Sequence, residues 1–146
     1  MKRKLEVVLV APSHYDDDGY VHRYWRGVVP SNTLSCLKTL VEKVHADREL
    51  GDDIDISVRI YDDNVQRVPL KRIIRRHQRG NVKVLVGFVG VQSNQFARAA
   101  DLALLLRSGG VPVMVGGFHV SGALVMFPEP TRELQQLLDA GVTLVK

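Results

Sequence analysis

Residues 82–121 read VKVLVGFVGVQSNQFARAADLALLLRSGGVPVMVGGFHVS, and this span leaves the chain little freedom of fold. An apolar strand gives way to a polar turn, a helix and a second apolar strand that ends in Gly116-Gly117-Phe118-His119. Two buried strands joined through one helix make a parallel βαβ unit. Open α/β sheets hold ligands outside the carboxyl ends of their strands, and both strands here end in small or polar residues.

The rest of the chain repeats the alternation. Residues 5–11 are a valine-rich apolar run, as expected of a central strand covered on both faces. Ser31, Asn32 and Thr33 are candidate caps for a helix whose Leu34, Leu37, Leu40, Val41 and Val44 recur at helical spacing as one buried stripe. Ile54, Ile56, Val58 and Ile60 alternate with polar residues, the mark of a half-exposed strand near an edge. A short helix over 70–77 stops at Gly80-Asn81, and 82–89 is the third strand. Phe96, Ala99, Ala100, Ala103 and Leu106 stripe the next helix, which Gly109-Gly110 ends before a fourth strand over 111–115. Thr131 caps a last helix through Leu134, Leu137 and Leu138, and 142–145 is the fifth strand. This order predicts a three-layer α/β sandwich with a flavodoxin-like (Rossmann-like) five-stranded parallel sheet of order 2-1-3-4-5. At 146 residues there is room for one domain, spanning 1–146.

The net charge of +4 is concentrated in Lys71-Arg72-Ile73-Ile74-Arg75-Arg76-His77-Gln78-Arg79, which reads as the solvated face of a helix. No aromatic residues interleave with it to stack bases, so nucleic acid is not an expected partner. The one cysteine, Cys36, excludes an internal disulfide framework and any multi-cysteine metal site supplied by this chain alone. Its place between Leu34 and Leu37 predicts a packed thiol. Glu6 breaks the apolar run after the basic start, which fits a first strand better than a signal peptide. No segment is long and apolar enough to span a bilayer, so no membrane contact and a cytoplasmic location are expected.

Several residues at the carboxyl edge are candidates for ligand binding. Gly116 and Gly117 follow a buried strand, where paired glycines serve either close ligand approach or a tight strand-to-helix turn. His119 and Ser121 follow near a helix start, where free N–H groups suit phosphates or amide oxygens. Gly90, Val91, Ser93 and Asn94 belong to the turn after the third strand, and Ser93 or Asn94 is also a candidate cap of the next helix. The connection 12–30 is far longer than the usual βα link of ~2–6 residues. It holds the only tryptophan, three of the four tyrosines and two of the five histidines, and it reads as a mobile cover over the same edge. Asp16-Asp17-Asp18 lacks the acidic partner that a magnesium phosphoacceptor site needs after the third strand. No phosphate-binding P-loop, dinucleotide fingerprint or nucleophile elbow is present.

With the strand-three turn Gly90-Val91-Gln92-Ser93-Asn94, the ending Val115-Gly116-Gly117-Phe118-His119 and the five-strand pattern together, the chain resembles the N-terminal cobalamin (B12)-binding domain of radical S-adenosylmethionine proteins. The resemblance covers essentially the whole chain. It implies a domain that holds a corrinoid for a radical S-adenosylmethionine partner domain in cis or in trans, in methyl transfer, with Gly116 and Gly117 close to the corrinoid tail. The implied contact set is Gly90, Val91, Ser93, Asn94, Gly116, Gly117, His119 and Ser121. The family's Ser-x-Leu element falls on Val89-Gly90-Val91, with Ser93 nearby, and its Asp-x-His-x-x-Gly element is replaced by Ser13-His14-Tyr15-Asp16-Asp17-Asp18-Gly19. No residue of this chain is therefore expected to ligate cobalt. The iron–sulfur cluster and S-adenosylmethionine belong to the partner domain, because that chemistry needs three cysteines. The chain alone is not expected to be catalytic, and its end on a strand fits either an excised N-terminal domain or a stand-alone relative. Two further readings are a Rossmann-like protein-interaction module without cofactor and a small phosphate- or nucleotide-binding enzyme that uses His119 and Ser121.

Overall fold

The computed structural model describes residues 2–26 and 31–146. Five strands, β1 (Arg3–Ala11), β2 (Ile54–Asp62), β3 (Lys83–Phe88), β4 (Val113–Gly116) and β5 (Thr143–Val145), form one all-parallel sheet of order β2-β1-β3-β4-β5. This is the flavodoxin-like arrangement expected from the alternation of strands and helices, with β2 on the edge. The helices are α1 (Asn32–Ala46), α2 (Leu70–Gln78), α3 (Phe96–Ser108), α4 (Phe118–Met126) and α5 (Arg132–Asp139). The connection from β4 to β5 thus contains two helices, α4 being the one that starts at the glycine pair.

Register divides the strand residues between two faces. The rows Val8–Val86–Val113 and Val10–Phe88–Val115 point to one face. There they pack with Ile73 of α2, Ala99, Leu102 and Leu106 of α3, and Leu134 and Leu137 of α5 as the main core. Glu6, the charge that interrupts the first strand, is almost fully buried and is held by Arg76 of α2 at 2.9 Å and Arg59 of β2 at 3.3 Å. On the opposite face Val7, Leu9 and Ile56 meet Leu34 of α1 in a smaller cluster. Ser31 caps α1 by accepting from the Leu34 amide, and Thr131 caps α5 by accepting from that of Leu134.

Three local expectations need correction. Cys36 is exposed, because the α1 stripe turned to the sheet is Leu34, Leu37, Val41 and Val44 and Cys36 falls outside it. Leu40 is 56% exposed instead of buried with that stripe, since the sheet face beneath it is open. Neither Ser93 nor Asn94 caps α3: its N-cap position is Gln95, whose Oε1 accepts from the Gln92 amide.

The long connection after β1 is also more structured than a mobile cover, as far as it is described; residues 27–30 lie outside the described residues. Its first half folds as a small hairpin. Tyr15 bridges Val21, the His22 amide donates to the His14 carbonyl at 2.9 Å, and Asp16 Oδ1 closes the tip by accepting from the Asp18 and Tyr20 amides. Asp63, fully buried just after β2, ties this hairpin to the body. Arg98 of α3 grips its carboxylate through Nε at 2.8 Å and Nη2 at 3.2 Å. Arg23 and the Ser13 amide donate to it from the hairpin at 3.0 and 3.2 Å. Tyr15 hydrogen-bonds Asp101, and burial followed by that bond raises its pKa above the usual phenol value.

Burial alone would raise the Asp63 pKa, but the bonds and charge of Arg98, then Ser13 and Arg23, outweigh it and hold the carboxyl below its usual value. A depressed carboxylate pKa adds stability that is fully present above the unfolded value of ~3.9 and fades as pH falls through the lower folded value. Asp63→Asn should therefore cost about 3–5 kcal/mol at pH 7, because two guanidinium groups lose their buried counter-charge. Urea denaturation across pH 2–7 should show the loss shrinking on the acid side; a uniform loss at every pH would remove the electrostatic account.

Candidate functional site

The face that carries α1 is covered only in part. Across β1, β3 and β4 to the end of β5 it is an open apolar groove of about 610 Å³ that runs along the strands. Its floor includes Leu85 and Gly87 of β3 and Met114 of β4, and α1 forms one wall through Leu37, Leu40 and Val41. At the carboxyl edge the groove opens among Gly90, Gly116, Gly117 and Ser121, with Lys146 beside them. Leu9, Gly87 and Met114 form one row across the sheet, so the absence of a side chain at Gly87 deepens the middle of the floor. A glycine inside a buried strand is a recognised mark of close approach by another group.

The turns after β3 and β4 are zipped together, and this shapes the groove's mouth. The Val91 amide donates to the Gly116 carbonyl, and the His119 amide donates to the Val91 carbonyl, both at 3.1 Å. Gly117 adopts φ +142°, ψ −172°, and a Cβ there would lie 2.2 Å from the Val91 nitrogen. Gly117 is thus required by a close approach of the chain's own backbone. At Gly116 a Cβ would meet the Val145 side chain at 3.1 Å.

The structure brings together Gly90, Gly116, Gly117 and Ser121 on the groove and sends the other candidates elsewhere. Val91 is fully buried, and its backbone holds the zip. The Ser93 hydroxyl lies 3.1 Å from His119 Nδ1, and the His119 ring stacks on Phe96 with centroids 4.3 Å apart. Asn94 is exposed and borders no described cavity. His119 and Ser121 do not share one centre, since only Ser121 lines the groove. His14 and His22 stack on each other in the hairpin, 4.9 Å between centroids, and neither borders the groove. Among the described residues no three His, Cys, Asp or Glu side chains are gathered as a metal site.

A smaller polar crevice of about 260 Å³ lies at the carboxyl ends of β1 and β3, between Ser31 and Thr33 at the start of α1, Asp62 at the end of β2 with Asn64 after it, and Gln92 and Gln95. This is the switch point of the sheet, where open α/β folds place ligands. The carboxyl edge also exposes apolar groups: Phe118 is 78% exposed at the start of α4, and Trp25 in the connection after β1 is 91% exposed with Arg26 over its ring. Val125 and Met126 continue the exposed apolar surface along α4. No described helix is long and apolar enough to cross a membrane.

Sequence reasoning missed the groove itself. By its spacing Leu40 belongs to the core stripe of α1, and the one legible signal is Gly87, which interrupts an otherwise bulky strand. Asp63 carries no sequence mark, because its partners Ser13, Arg23 and Arg98 lie 50, 40 and 35 positions away.

The packing around Gly117 and Gly122 sets opposite outcomes for the two positions. Gly117→Ala should destabilise the fold by about 1–3 kcal/mol or more, as the Gly90–Val91 backbone must move away from the new methyl group. Gly122→Ala, on α4 with no atom within 4 Å of the added Cβ, should stabilise by up to ~1 kcal/mol through helix propensity. Chemical denaturation of the two variants checks both signs. The chain matches no protein-family model and no curated protein.

Proposed function

We propose that this chain is a cytoplasmic cobalamin-binding domain that holds a corrinoid for a radical S-adenosylmethionine partner domain, in cis or in trans, in methyl transfer. The observation that carries the reading is the groove, whose mouth gathers four of the residues singled out by the resemblance: Gly90, Gly116, Gly117 and Ser121. A corrinoid has two unlike parts, an amide-fringed macrocycle and a nucleotide tail that ends in a flat aromatic base. The groove suits the second part. Its walls are hydrocarbon, its volume of about 610 Å³ admits an aromatic base with its sugar, and Ser121 and Lys146 stand at the mouth where a tail phosphate would pass. Buried apolar walls with a few polar groups at one end are the usual make-up of cofactor sites.

When bound, cobalamin would supply a cobalt that carries a methyl group, and the chain's own part is to hold and orient the cofactor. No histidine here is proposed as a cobalt ligand. His14 and His22 stack on each other, His119 is held by Ser93 and Phe96, and none of the three lines the groove. The single cysteine is an exposed free thiol, so the iron–sulfur cluster is assigned to the partner domain. Exposed Phe118 and Trp25 at the same edge support docking of that domain over the cofactor.

The same exposed groups favour a second reading, a protein-interaction module without cofactor. Titration with hydroxocobalamin followed by visible absorbance separates the two. Saturable binding is expected, and Gly87→Leu should weaken it at least about tenfold by filling the groove floor, since one orphaned contact of ~1.4 kcal/mol is already tenfold. The added Cβ meets only ordinary contacts, the nearest being Leu9 Cδ2 at 3.4 Å, so the circular dichroism spectrum should not change. No binding, with or without the partner domain, would leave the interaction module as the better reading.

A further inference from the structure

Corrinoids differ from one another chiefly in the base that ends the nucleotide tail, which is a benzimidazole, a phenol or a purine. The groove has something to say about that difference. From the carboxyl edge inward it changes character. Among the described residues that line it, only Ser121 and Lys146 carry polar side-chain atoms, and both stand at the mouth. Farther along the strands the lining is Leu5, Val7, Leu85, Val41, Val44 and Leu50, with no hydroxyl, amide or charged group. The backbone offers little in their place, because the amides and carbonyls of β1 and β3 are taken by the sheet ladder.

Resting on the corrinoid reading above, we infer that the groove selects corrinoids whose lower base is a benzimidazole or a phenol and discriminates against those that carry adenine. The reason is desolvation. A benzimidazole brings one bare ring nitrogen, and an O-linked phenol brings none. Adenine brings an amino group and further ring nitrogens, and those turned toward the groove's floor and walls would meet hydrocarbon without partners. Each buried polar group left unpaired weakens binding by roughly tenfold or more. The tail phosphate is common to all three classes and meets the same mouth, so it contributes no selectivity. Lys146 and Ser121 there favour any anionic tail over a corrinoid that has none.

The test is a set of absorbance titrations of the whole chain with cobalamin, a phenolic cobamide, the adenine cobamide and cobinamide, which lacks the nucleotide. Cobalamin and the phenolic form should bind alike, with the adenine form and cobinamide each at least about tenfold weaker. Met114→Gln, which places an amide in the groove floor, should shrink the ratio between cobalamin and the adenine form. Equal affinity for cobalamin and the adenine form overturns the selectivity while leaving the corrinoid reading standing. An unchanged ratio in Met114→Gln, with the circular dichroism of the parent, overturns the groove as the seat of the base. No binding of any of the four overturns the corrinoid reading and this inference together.

Discussion

Side chains along a strand alternate between two faces, and in β1, β3 and β4 that alternation divides the molecule unequally. Val8 and Val10 of β1 and Val84, Val86 and Phe88 of β3, with Val113 and Val115 of β4, are sealed under α2, α3 and α5. Leu9, Gly87 and Met114 point the other way, to a face that α1 covers on the β2 side alone. A parallel sheet is normally covered on both faces. The uncovered remainder is the groove, and the exposure of Leu40 and Leu50 follows from it, since both overhang a surface with nothing above it.

The mouth of that groove depends on a contact of backbone with backbone. Gly117 sits so close to Gly90 and Val91 that a methyl group cannot be inserted, and two hydrogen bonds lock the turns after β3 and β4 together. The zip fixes where α4 begins, turning Ser121 toward the groove and His119 toward Ser93 and Phe96. A glycine pair that could have served a ligand or a turn therefore serves the turn directly, and any ligand only through the rim it builds.

On the other side of the carboxyl edge the governing interaction is ionic. Asp63 is fully buried, and three donors drawn from two distant segments converge on it. A buried ion pair of this kind gains little over an apolar replacement of all its members, yet a single member is costly to leave alone. It therefore makes the position of the hairpin over α3 all or none. Tyr15, bonded to Asp101 with Arg98 5.9 Å from its ring, extends the same tie.

The strand and helix order was legible from the sequence because each element carries its own period: valine runs for β1 and β3, alternation for β2, helical stripes with Ser31 and Thr131 caps for α1 and α5. Right-handed crossovers then leave one reasonable strand order, and the glycine pair marks the edge where a site belongs. What the sequence by itself could not decide is everything set by who faces whom. Leu40 and Leu37 belong to one apolar stripe, and only the missing cover above the sheet separates an exposed leucine from a packed one. Ser93 has the chemistry of a cap, and only the arrival of α4 makes it the partner of His119. Asp63 looks like any loop carboxylate until tertiary folding carries Arg23 and Arg98 to it. Local periodicity is written residue by residue, whereas burial and pairing are properties of surfaces that exist only once the chain has folded.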